Sequence, residues 1–328
     1  MNPILKPRIG VVGVGHLGQH HVKHYQKLSS AALVGVFDTD MNRANEIASA
    51  YNTTAFPSVN ELLNSCDAVS IVTPTVQHAS VAEKCIRARK HVFIEKPITT
   101  TVDEADALIH QAGKNGVIIQ VGHIERLNPA LRALGDYALN PKYIEVQRLA
   151  PYTARGTDVP VVLDLMIHDI DIILALVSSP VKSIHASGVS LMTDSVDIAN
   201  ARIRFENGTV ASMTSSRVAK DKVRKTKIFQ KDMYVTIDFL LGLTEVYRVM
   251  SDKNPKAILT APLSEENNHR EIAYEKPPVI SADAMQLELA NFIASIQGEE
   301  TPIVDGIAGR EALDIAIQIH DMILEDIH

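Results

Sequence analysis

The sequence has few cysteines, no long apolar run and no excess of positive charge, and each absence excludes a class of protein. Its two cysteines, Cys66 and Cys85, are far from any metal-ligand spacing and fit a reducing compartment. No apolar run approaches the roughly 20 residues that cross a bilayer, and the N-terminal apolar stretch is too short for a secretory signal. A formal net charge of -7 argues against a general affinity for nucleic acid or for an anionic membrane. These features predict a cytoplasmic protein without a membrane or nucleic-acid partner.

The composition is that of an ordinary globular protein, with 46% hydrophobic and 22% charged residues, and a length of 328 residues suggests two domains. From residue 7 to 121, short apolar runs alternate with helical patterns, as they do in βαβ units. The runs are apolar throughout, which is typical of parallel strands covered on both faces. The predicted strands are Arg8–Val14, Ala32–Phe37, Ala68–Val72, His91–Ile94 and Val117–Val121. The sequence therefore predicts an α/β fold, a Rossmann doubly wound parallel sheet, over residues 1–122.

After residue 122 several strand-like runs follow one another without crossover helices. This pattern predicts an α+β domain over residues 123–328, with an open and largely antiparallel sheet. Asn207-Gly208 lies between two such runs and predicts a hairpin turn. One further strand is predicted at Tyr143–Leu149, and helices are predicted at Asn128–Leu139, Val159–Val177, Asp283–Gln297 and Gly306–His328. The polar stretch 251–282 is predicted to be a surface excursion.

A glycine-rich motif follows the first predicted strand and opens a predicted helix. Gly13 permits the tight turn, Gly15 lets the backbone approach a pyrophosphate, and Gly18 allows the helix to pack closely on the strand. The helix N-terminus then offers N–H groups to the phosphates. Asp38, about 20 residues beyond Gly18, would accept from ribose hydroxyls and repel a 2′-phosphate, which favours NAD over NADP. The alternative is a glycine-rich turn in an empty Rossmann-like domain.

Two further turns lie at the carboxyl edge of the predicted sheet, where open α/β sheets bind their ligands. Thr73 and Pro74 end one strand and are expected to touch the cofactor, although helix capping alone would explain Thr73. One strand further on, Lys96 can bind and polarise a substrate hydroxyl or carbonyl, and a surface Glu–Lys pair before a turn proline is the alternative. The predicted NAD contacts are Gly13, Gly15, His16, Leu17, Gly18, Asp38, Thr73, Pro74, His78 and Glu95.

Three polar residues share a spacing on the predicted helix Val159–Val177. Asp164, His168 and Asp171 fall at i, i+4 and i+7, which places them on one α-helical face beside an apolar stripe. His168 could move a proton near neutral pH, and Asp164 could orient its ring or contact a substrate hydroxyl. A structural histidine is the alternative. A metal site made of these three residues is conceivable, but hydride transfer to a nicotinamide needs none, so no metal is predicted.

Two other patterns carry weaker signals. His16, His20 and His24 share one face of the first helix, where a solvated surface is favoured over a metal site. The basic run from Arg217 to Lys227 has three interpretations: an exposed strand or subunit contact, a diphosphate-binding patch, or a nucleic-acid site. The overall acidity disfavours the last of these.

Taken together, these motifs resemble those of the glucose–fructose oxidoreductase / inositol dehydrogenase (Gfo/Idh/MocA) family along essentially the whole chain. The resemblance rests on Gly13-x-Gly15-x-x-Gly18, Thr73-Pro74, Glu95-Lys96-Pro97 and Asp164-x-x-x-His168. It implies an N-terminal Rossmann domain and a C-terminal open sheet used for substrate and oligomer contacts. It also implies that Lys96 and His168 are the catalytic lysine and histidine, and that Asp164 helps to bind the sugar.

Two longer stretches, Val121–Ala130 and Leu163–Asp171, resemble a branch of that family that oxidises UDP-N-acetylglucosamine at its 3-hydroxyl. In that branch the 3-keto product is transaminated to a diamino sugar nucleotide for lipid A, which implies a downstream aminotransferase. Arg126, Asn128 and Arg155 are then candidate substrate ligands, because the planar fork of arginine suits a diphosphate. Either arginine could instead be an ordinary surface charge.

Two other functions stay open from the sequence. The same catalytic residues would serve a dehydrogenase of a free polyol such as an inositol, or of a simple sugar, and Arg126 and Arg155 would then have no role. A nucleotide-sensing regulator that kept the fold and lost the reaction is the alternative from another class, because a fold does not fix a function. An open sheet face usually needs a partner to cover it, which predicts a homodimer or homotetramer.

Overall fold

The computed structural model describes residues 6–153, 159–251, 255–263 and 270–327, and the chain divides into two compact units. The first unit comprises Met1–Ile124 and Asp283–Asp314, and the second comprises Glu125–Ala282 and Ile315–His328. The first division lies close to the predicted domain boundary at residue 122. Residues 283–314, which the prediction placed in the second domain, cluster instead with the first unit.

A parallel sheet of six strands forms the centre of the first unit, in the order β3-β2-β1-β4-β5-β6. The strands are β1 (Arg8–Val12), β2 (Ala32–Phe37), β3 (Thr54–Ala55), β4 (Ala68–Ile71), β5 (His91–Glu95) and β6 (Ile119–Gly122). The strand order reverses between β1 and β4, and doubly wound sheets bind their ligands beside this point. The predicted Rossmann sheet is confirmed, and β3 is a short strand that the sequence did not predict.

The helices predicted over 283–297 and 306–328 are observed close to those positions, and five helices alternate with the strands of the first sheet. The α-helices are α1 (Gly18–Lys27), α2 (Met41–Ala50), α3 (Val59–Ser65), α4 (His78–Arg87), α5 (Val102–Asn115), α6 (Pro129–Arg132), α7 (Ile167–Leu176), α8 (Ala284–Ile296) and α9 (Gly306–Ile327). Phe292 of α8 packs edge-on against Phe93 of β5 in the core of the first unit, with ring centroids 5.8 Å apart. This packing explains why residues 283–314 belong to that unit. Across the described ranges, none of these helices is long and apolar enough to span a bilayer.

The second unit is built on a sheet of nine strands in the order β14-β15-β13-β12-β11-β7-β10-β9-β8. The strands are β7 (Tyr143–Leu149), β8 (Val181–Val189), β9 (Ile198–Phe205), β10 (Val210–Ser216), β11 (Val223–Gln230), β12 (Met233–Asp238), β13 (Leu243–Met250), β14 (Leu259–Pro262) and β15 (Glu271–Glu275). Among these strands β7 and β10 pair in parallel and the other neighbours are antiparallel. The predicted α+β domain is therefore confirmed, as is the hairpin, where Gly208 adopts a φ of 84° between β9 and β10.

The two faces of this sheet differ in chemistry. One face buries aliphatic side chains such as Ile228, Val235 and Val246 against Ala130 and Ile172. The other face is partly exposed and carries a row of aromatic rings whose neighbouring centroids are 4.7 to 5.8 Å apart. The row consists of Tyr143, Phe229, Tyr234, Tyr247 and Tyr274.

Three predictions for the second unit were wrong in detail. The helix expected over 128–139 is only one turn long, because the residues after Arg132 follow turns while Leu134 still packs into the core. Part of the polar stretch 251–282 forms β14 and β15, since β15 pairs with β13 and β14 pairs with β15, which supplies order that the composition does not indicate. The helix expected over 159–177 begins with a π-helical turn, Val162–Met166, which leads into α7.

Candidate functional site

The glycine-rich turn between β1 and α1 needs glycine at two positions and leaves a third open. Gly13 has a left-handed φ of 86°, and a Cβ there would lie 2.6 Å from the carbonyl oxygen of Val72. A Cβ on Gly18 would lie 1.9 Å from the carbonyl oxygen of Gly13, so α1 can begin this close to the turn only with glycine. A Cβ on Gly15 would meet no atom within 4 Å. This open backbone position fits the close approach of a pyrophosphate.

The start of α1 has no side-chain cap. Asp40, Ser58 and Thr101 cap the first turns of α2, α3 and α5 with their side chains, whereas Leu17 provides no such cap for α1. Uncapped N–H groups and the partial positive charge of a helix N-terminus favour an anion. His16 and Leu17 are exposed beside this end of the helix. Both features agree with a phosphate site at the glycine turn.

Asp38 follows β2, and the main chain holds its carboxylate in place. Oδ2 accepts a hydrogen bond from the N–H of Val14 at 2.8 Å, and Oδ1 accepts one from the N–H of Asp40 at 3.0 Å. A cavity of about 270 Å³ lies beside this carboxylate in the first unit. Its lining includes five of the predicted NAD contacts, namely Gly13, Gly15, Asp38, Thr73 and Pro74. The glycine turn, the carboxylate and the cavity together fit the dinucleotide.

His78 was predicted to contact the cofactor, but its ring contacts the main chain. The side chain is only 1% exposed at the start of α4. Nδ1 lies 2.9 Å from the carbonyl oxygen of Pro97, and Nε2 lies 2.9 Å from that of Thr73. Burial lowers the pKa of the His78 imidazole, and the two carbonyl groups act in the opposite direction. Both ring nitrogens are therefore occupied within the first unit.

Glu95 is also buried beneath the turn that carries Lys96. Its Oε1 lies 3.0 Å from Nε2 of His21, and its Oε2 accepts from the N–H of Lys96 at 3.2 Å. Burial by itself raises the pKa of Glu95, but the hydrogen bond from His21 and the nearby positive charge hold it below its usual value. The carboxylate therefore holds the turn, while Lys96 is half-buried after the end of β5 and precedes a cis peptide bond to Pro97.

Asp164 and His168 are both half-buried in the second unit. Asp164 lies in the π-helical turn and His168 lies in the first turn of α7. A π turn contains more residues than an α turn, so the predicted spacing of one α-helical face does not continue through it. Asp171, the third residue of the predicted face, is buried. Single π turns inside α-helices are frequent at functional sites.

Arg126, predicted as a substrate ligand, is paired with Asp171. Its Nε donates to Oδ2 and its Nη2 donates to Oδ1, each at 2.7 Å, and the two side chains are 17% and 1% exposed. Asn128 caps the start of α6 and donates from Nδ2 to Oε2 of Glu125 at 3.1 Å. Both residues thus serve local structure. Arg155 lies outside the described residues.

A second buried pair that the sequence did not predict holds α7. Arg148 donates from Nε and Nη2 to the two carboxylate oxygens of Asp169 at 2.7 and 2.8 Å, and both side chains are at most 3% exposed. Nη1 of Arg148 and Nη1 of Arg224 each donate to Oε1 of Glu125 at 3.0 Å. Burial alone lowers the pKa of Arg148, but the adjacent carboxylates raise it above its usual value. A sequence signal does exist, because Arg148 shares the inward-facing side of β7 with Val146.

Two lysines of the basic run lie on a partly exposed strand. Lys225 and Lys227 alternate along β11 and pair with Asp238 on β12 and Glu145 on β7, at 3.2 and 3.1 Å. Arg217 is buried and donates to the carbonyl oxygen of Val159. Cross-strand pairs of this kind stabilise a sheet face.

The histidines of α1 do not converge on a metal site. His16 and His20 contact each other edge-on with ring centroids 5.6 Å apart, and Nε2 of His24 lies 3.6 Å from a carboxylate oxygen of Asp283. Within the part of the chain that the structure describes, no group of three or more His, Cys, Asp or Glu residues is placed to hold a metal ion.

Known proteins resemble the chain along almost its whole length. Residues 7–123 match the Gfo/Idh/MocA oxidoreductase family, NAD-binding Rossmann fold, and residues 142–234 match a C-terminal domain of the same family. A UDP-N-acetylglucosamine 3-dehydrogenase from Acidithiobacillus ferrooxidans is 39% identical over 313 residues, which are 95% of this chain and 96% of that protein. A solved structure with that name from the same organism has a TM-score of 0.89 at 37% identity, covering 99% of this chain and 100% of the other. A myo-inositol 2-dehydrogenase from Thermotoga maritima is 26% identical over 93% of each chain.

Proposed function

This chain belongs to the Gfo/Idh/MocA family of NAD-binding oxidoreductases, and from that membership we propose that it oxidises the 3-hydroxyl of UDP-N-acetylglucosamine to the 3-keto sugar nucleotide, using NAD. The observation that carries the proposal is the relative of that activity, which is 39% identical over 95% of this chain. The similarity extends through both compact units. The inositol dehydrogenase is more distant, at 26% identity.

The first unit contains residues that are suited to binding NAD. The glycine turn with its open position at Gly15 would hold the pyrophosphate, and Asp38 would accept from the ribose hydroxyls. Thr73 and Pro74 line the adjoining cavity. When bound, NAD accepts the hydride that leaves the sugar carbon.

Three side chains are assigned to the chemistry. His168 takes the proton of the sugar hydroxyl as general base, while the hydrogen on the same carbon leaves with its electron pair. Lys96 hydrogen-bonds the hydroxyl oxygen as it becomes a ketone, which opposes the charge that develops there. Asp164 contacts the sugar beside His168. Half-buried positions suit these roles because a side chain there is both held by neighbours and open to a ligand.

Two of the three candidate substrate ligands have other partners within the second unit. The fork of Arg126 is filled by Asp171, and Asn128 is used in a helix cap. Removing either is expected to reduce stability rather than to raise KM for the nucleotide alone. Arg155 stays the proposed diphosphate ligand, because the fork of an arginine gives bidentate contacts to phosphate oxygens.

The same proposal includes the partners of the enzyme. A second copy of the chain would cover the aromatic face of the nine-stranded sheet, giving a homodimer or homotetramer. A ketone on the sugar is a substrate for transamination, so a downstream aminotransferase is expected, leading to diamino-sugar lipid A. The predicted cytoplasmic location is part of this proposal.

The test is NADH formation with NAD and a panel of UDP-sugars, inositols and free hexoses, with an aminotransferase and glutamate present to remove the ketone. Turnover of UDP-N-acetylglucosamine in preference to the others is expected. Turnover of a free polyol alone would replace the substrate and keep the catalytic residues. NAD binding without turnover of any compound would favour the regulator.

Two variants refine this test. Lys96→Met is expected to abolish turnover and to leave the Kd for NAD nearly unchanged. Lys84→Met is the matched control, because Lys84 is an exposed lysine on α4 of the same unit. Full activity of the Lys96 variant would remove that residue from the reaction.

A further inference from the structure

Two buried imidazoles hold the turn that carries Lys96, and they come from different helices. His21 lies on α1, which begins at the glycine turn, and His78 lies on α4, which follows Thr73 in the chain. The two side chains are 0% and 1% exposed. His78 contacts the carbonyl oxygen of Pro97, the residue after Lys96. His21 contacts the carboxylate of Glu95, which also accepts the main-chain N–H of Lys96.

His21 acts through Glu95. Its Nε2 lies 3.0 Å from Oε1 of Glu95, and because a carboxylate only accepts, the ring donates. The other carboxylate oxygen accepts the main-chain N–H of Lys96 at 3.2 Å. The ring also packs edge-on against Phe93, with centroids 5.3 Å apart, which fixes its orientation. The main chain entering Lys96 is therefore tied to α1.

His78 acts on the other side of the lysine. Its Nδ1 lies 2.9 Å from the carbonyl oxygen of Pro97, the residue after Lys96. Its Nε2 lies 2.9 Å from the carbonyl oxygen of Thr73, at the carboxyl end of β4. Both partners are carbonyl oxygens, which only accept, so the ring donates to both when it is protonated and to one of them when it is neutral. The main chain leaving Lys96 is therefore tied to the turn that lines the NAD cavity.

We propose that His21 and His78 are positioning residues that fix Lys96 relative to the two turns assigned to NAD. This rests on the proposed function of Lys96. Neither ring is required to touch the substrate or the cofactor. A lysine on a free turn would sample several positions. A lysine whose turn is held on both sides keeps its amine within reach of the sugar hydroxyl oxygen. Misplacement by about 1 Å can reduce a rate by about 100-fold, so such bracing has a measurable consequence.

A histidine of the same unit that lies away from the Lys96 turn provides the matched control. His91 is at the other end of β5, where its Nδ1 accepts from the N–H of Ile118 at 3.0 Å. It is half-buried and makes one main-chain contact, as a structural histidine does, but it lies at the amino end of the strand that leads to Lys96. Replacing it disturbs the same unit without loosening the turn.

The experiment compares His78→Leu, His78→Gln, His21→Leu and His91→Leu in the full chain. We expect kcat for UDP-N-acetylglucosamine to fall by about 10- to 100-fold in the two leucine variants at 78 and 21, with the Kd for NAD within about twofold of the original. The glutamine amide still donates hydrogen bonds, so His78→Gln should recover part of kcat. His91→Leu should lower the Tm and leave kcat within about twofold. Equal losses of kcat in the His91 and His78 variants, or an unchanged kcat in a folded His78→Leu, would overturn the proposal.

A second readout does not depend on the substrate. The rate at which an amine-acylating reagent modifies Lys96, relative to exposed Lys84, is measured by mass spectrometry in the presence of NAD. A loosened turn should raise that ratio in the 78 and 21 variants but not in His91→Leu, and an unchanged ratio would contradict the bracing. If the unmodified protein turns over no sugar nucleotide, the proposed function fails while this readout still decides the role of the histidines. Should His78→Leu not fold, the ratio in His21→Leu, which removes the donor to Glu95, decides the matter in the same way.

Discussion

The two compact units hold their candidate residues by different means. In the first unit the main chain does most of the holding: the N–H of Val14 fixes Asp38, and two carbonyl groups receive His78. In the second unit, side chains hold one another, as Arg148 holds Asp169 with a two-pronged hydrogen bond. A site made of main-chain groups therefore depends on the sequence positions of glycine and turn residues. A site made of paired charges depends on which distant residues meet.

The largest effect is expected where the main chain of the first unit is most crowded. Gly18→Ala places a Cβ 1.9 Å from the carbonyl oxygen of Gly13, so the turn has to move. We expect a loss of about 3 kcal/mol or more in the free energy of unfolding and a loss of NAD binding. Thermal unfolding and calorimetric titration with NAD measure the two effects. Gly15→Ala is the control, because its Cβ enters open space and should leave the stability nearly unchanged.

A normal stability of Gly18→Ala would contradict this account of the first unit, because the turn would then accept a side chain at little cost in free energy. Weakened NAD binding in Gly15→Ala, with an unchanged Tm, would support the account. That result would separate the glycine needed for packing from the glycine needed for the ligand.

The second effect tests the paired charges of the other unit. Arg148→Met leaves the carboxylate of Asp169 buried without its main partner, which typically lowers the free energy of unfolding by about 3 to 5 kcal/mol. The double variant Arg148→Met with Asp169→Leu removes both charges and should recover most of that loss. Urea unfolding of the two variants and the original protein provides the comparison. A loss below about 1 kcal/mol in the single variant would show that the pair is not needed for folding.

An intermediate effect is expected at Asp197 of the second unit. Main-chain N–H groups hold its carboxylate, as they hold Asp38 in the first unit. Burial by itself raises the pKa of Asp197, but the N–H groups of Met192, Leu191 and Thr193 and the hydroxyl of Thr193 lower it to about 2. Because the folded pKa is below the unfolded one, the stabilisation is complete above the unfolded pKa. It is lost as the pH falls towards 2.

Asp197→Asn should therefore be about 2 kcal/mol less stable than the original protein at neutral pH, with the difference vanishing near the pKa of about 2. Urea unfolding at a series of pH values checks this. A difference that stays constant across the acidic range would mean that the carboxylate charge is not what the three N–H groups recognise.

The smallest effect is expected at Asp38, where one carboxylate contributes to a site made mainly of backbone. Asp38→Ala should weaken NAD binding by about tenfold, or about 1.4 kcal/mol, and reduce the preference for NAD over NADP. Asp40→Ala is the control, because Asp40 caps α2 and its loss should lower stability by about 1 kcal/mol without changing the cofactor preference. Titration with NAD and with NADP measures the ratio. An unchanged ratio in the Asp38 variant would remove it from cofactor selection.

Much of the first unit could be predicted because its signals are local. The apolar runs that became β1, β2, β4, β5 and β6 need only their own residues to be recognised, and the glycine spacing is contained in six positions. The Asn207-Gly208 hairpin of the second unit was predictable for the same reason, since Gly208 supplies the left-handed φ of 84° that the turn requires.

The structure adds most where the partner of a residue lies far along the chain. Arg126 looked like a phosphate ligand from its place after β6, but Asp171, 45 residues away, fills its fork. His78 looked like a cofactor contact, but the carbonyl group that it reaches belongs to Pro97, 19 residues away. Strands β14 and β15 were not predicted, because their hydrogen bonds depend on β13 and on each other rather than on an apolar pattern.

The sequence alone predicted the doubly wound sheet of the first unit, the glycine positions of its first turn, and the two motifs that contain Lys96 and His168. These are properties of short segments, set by steric limits on φ and by the period of apolar residues. The folded chain was needed to show that Glu95 accepts the N–H of Lys96, that Arg148 pairs with Asp169, and that a π-helical turn precedes α7. Charged groups select partners by distance and burial in the folded chain, and neither quantity exists until distant segments have packed together.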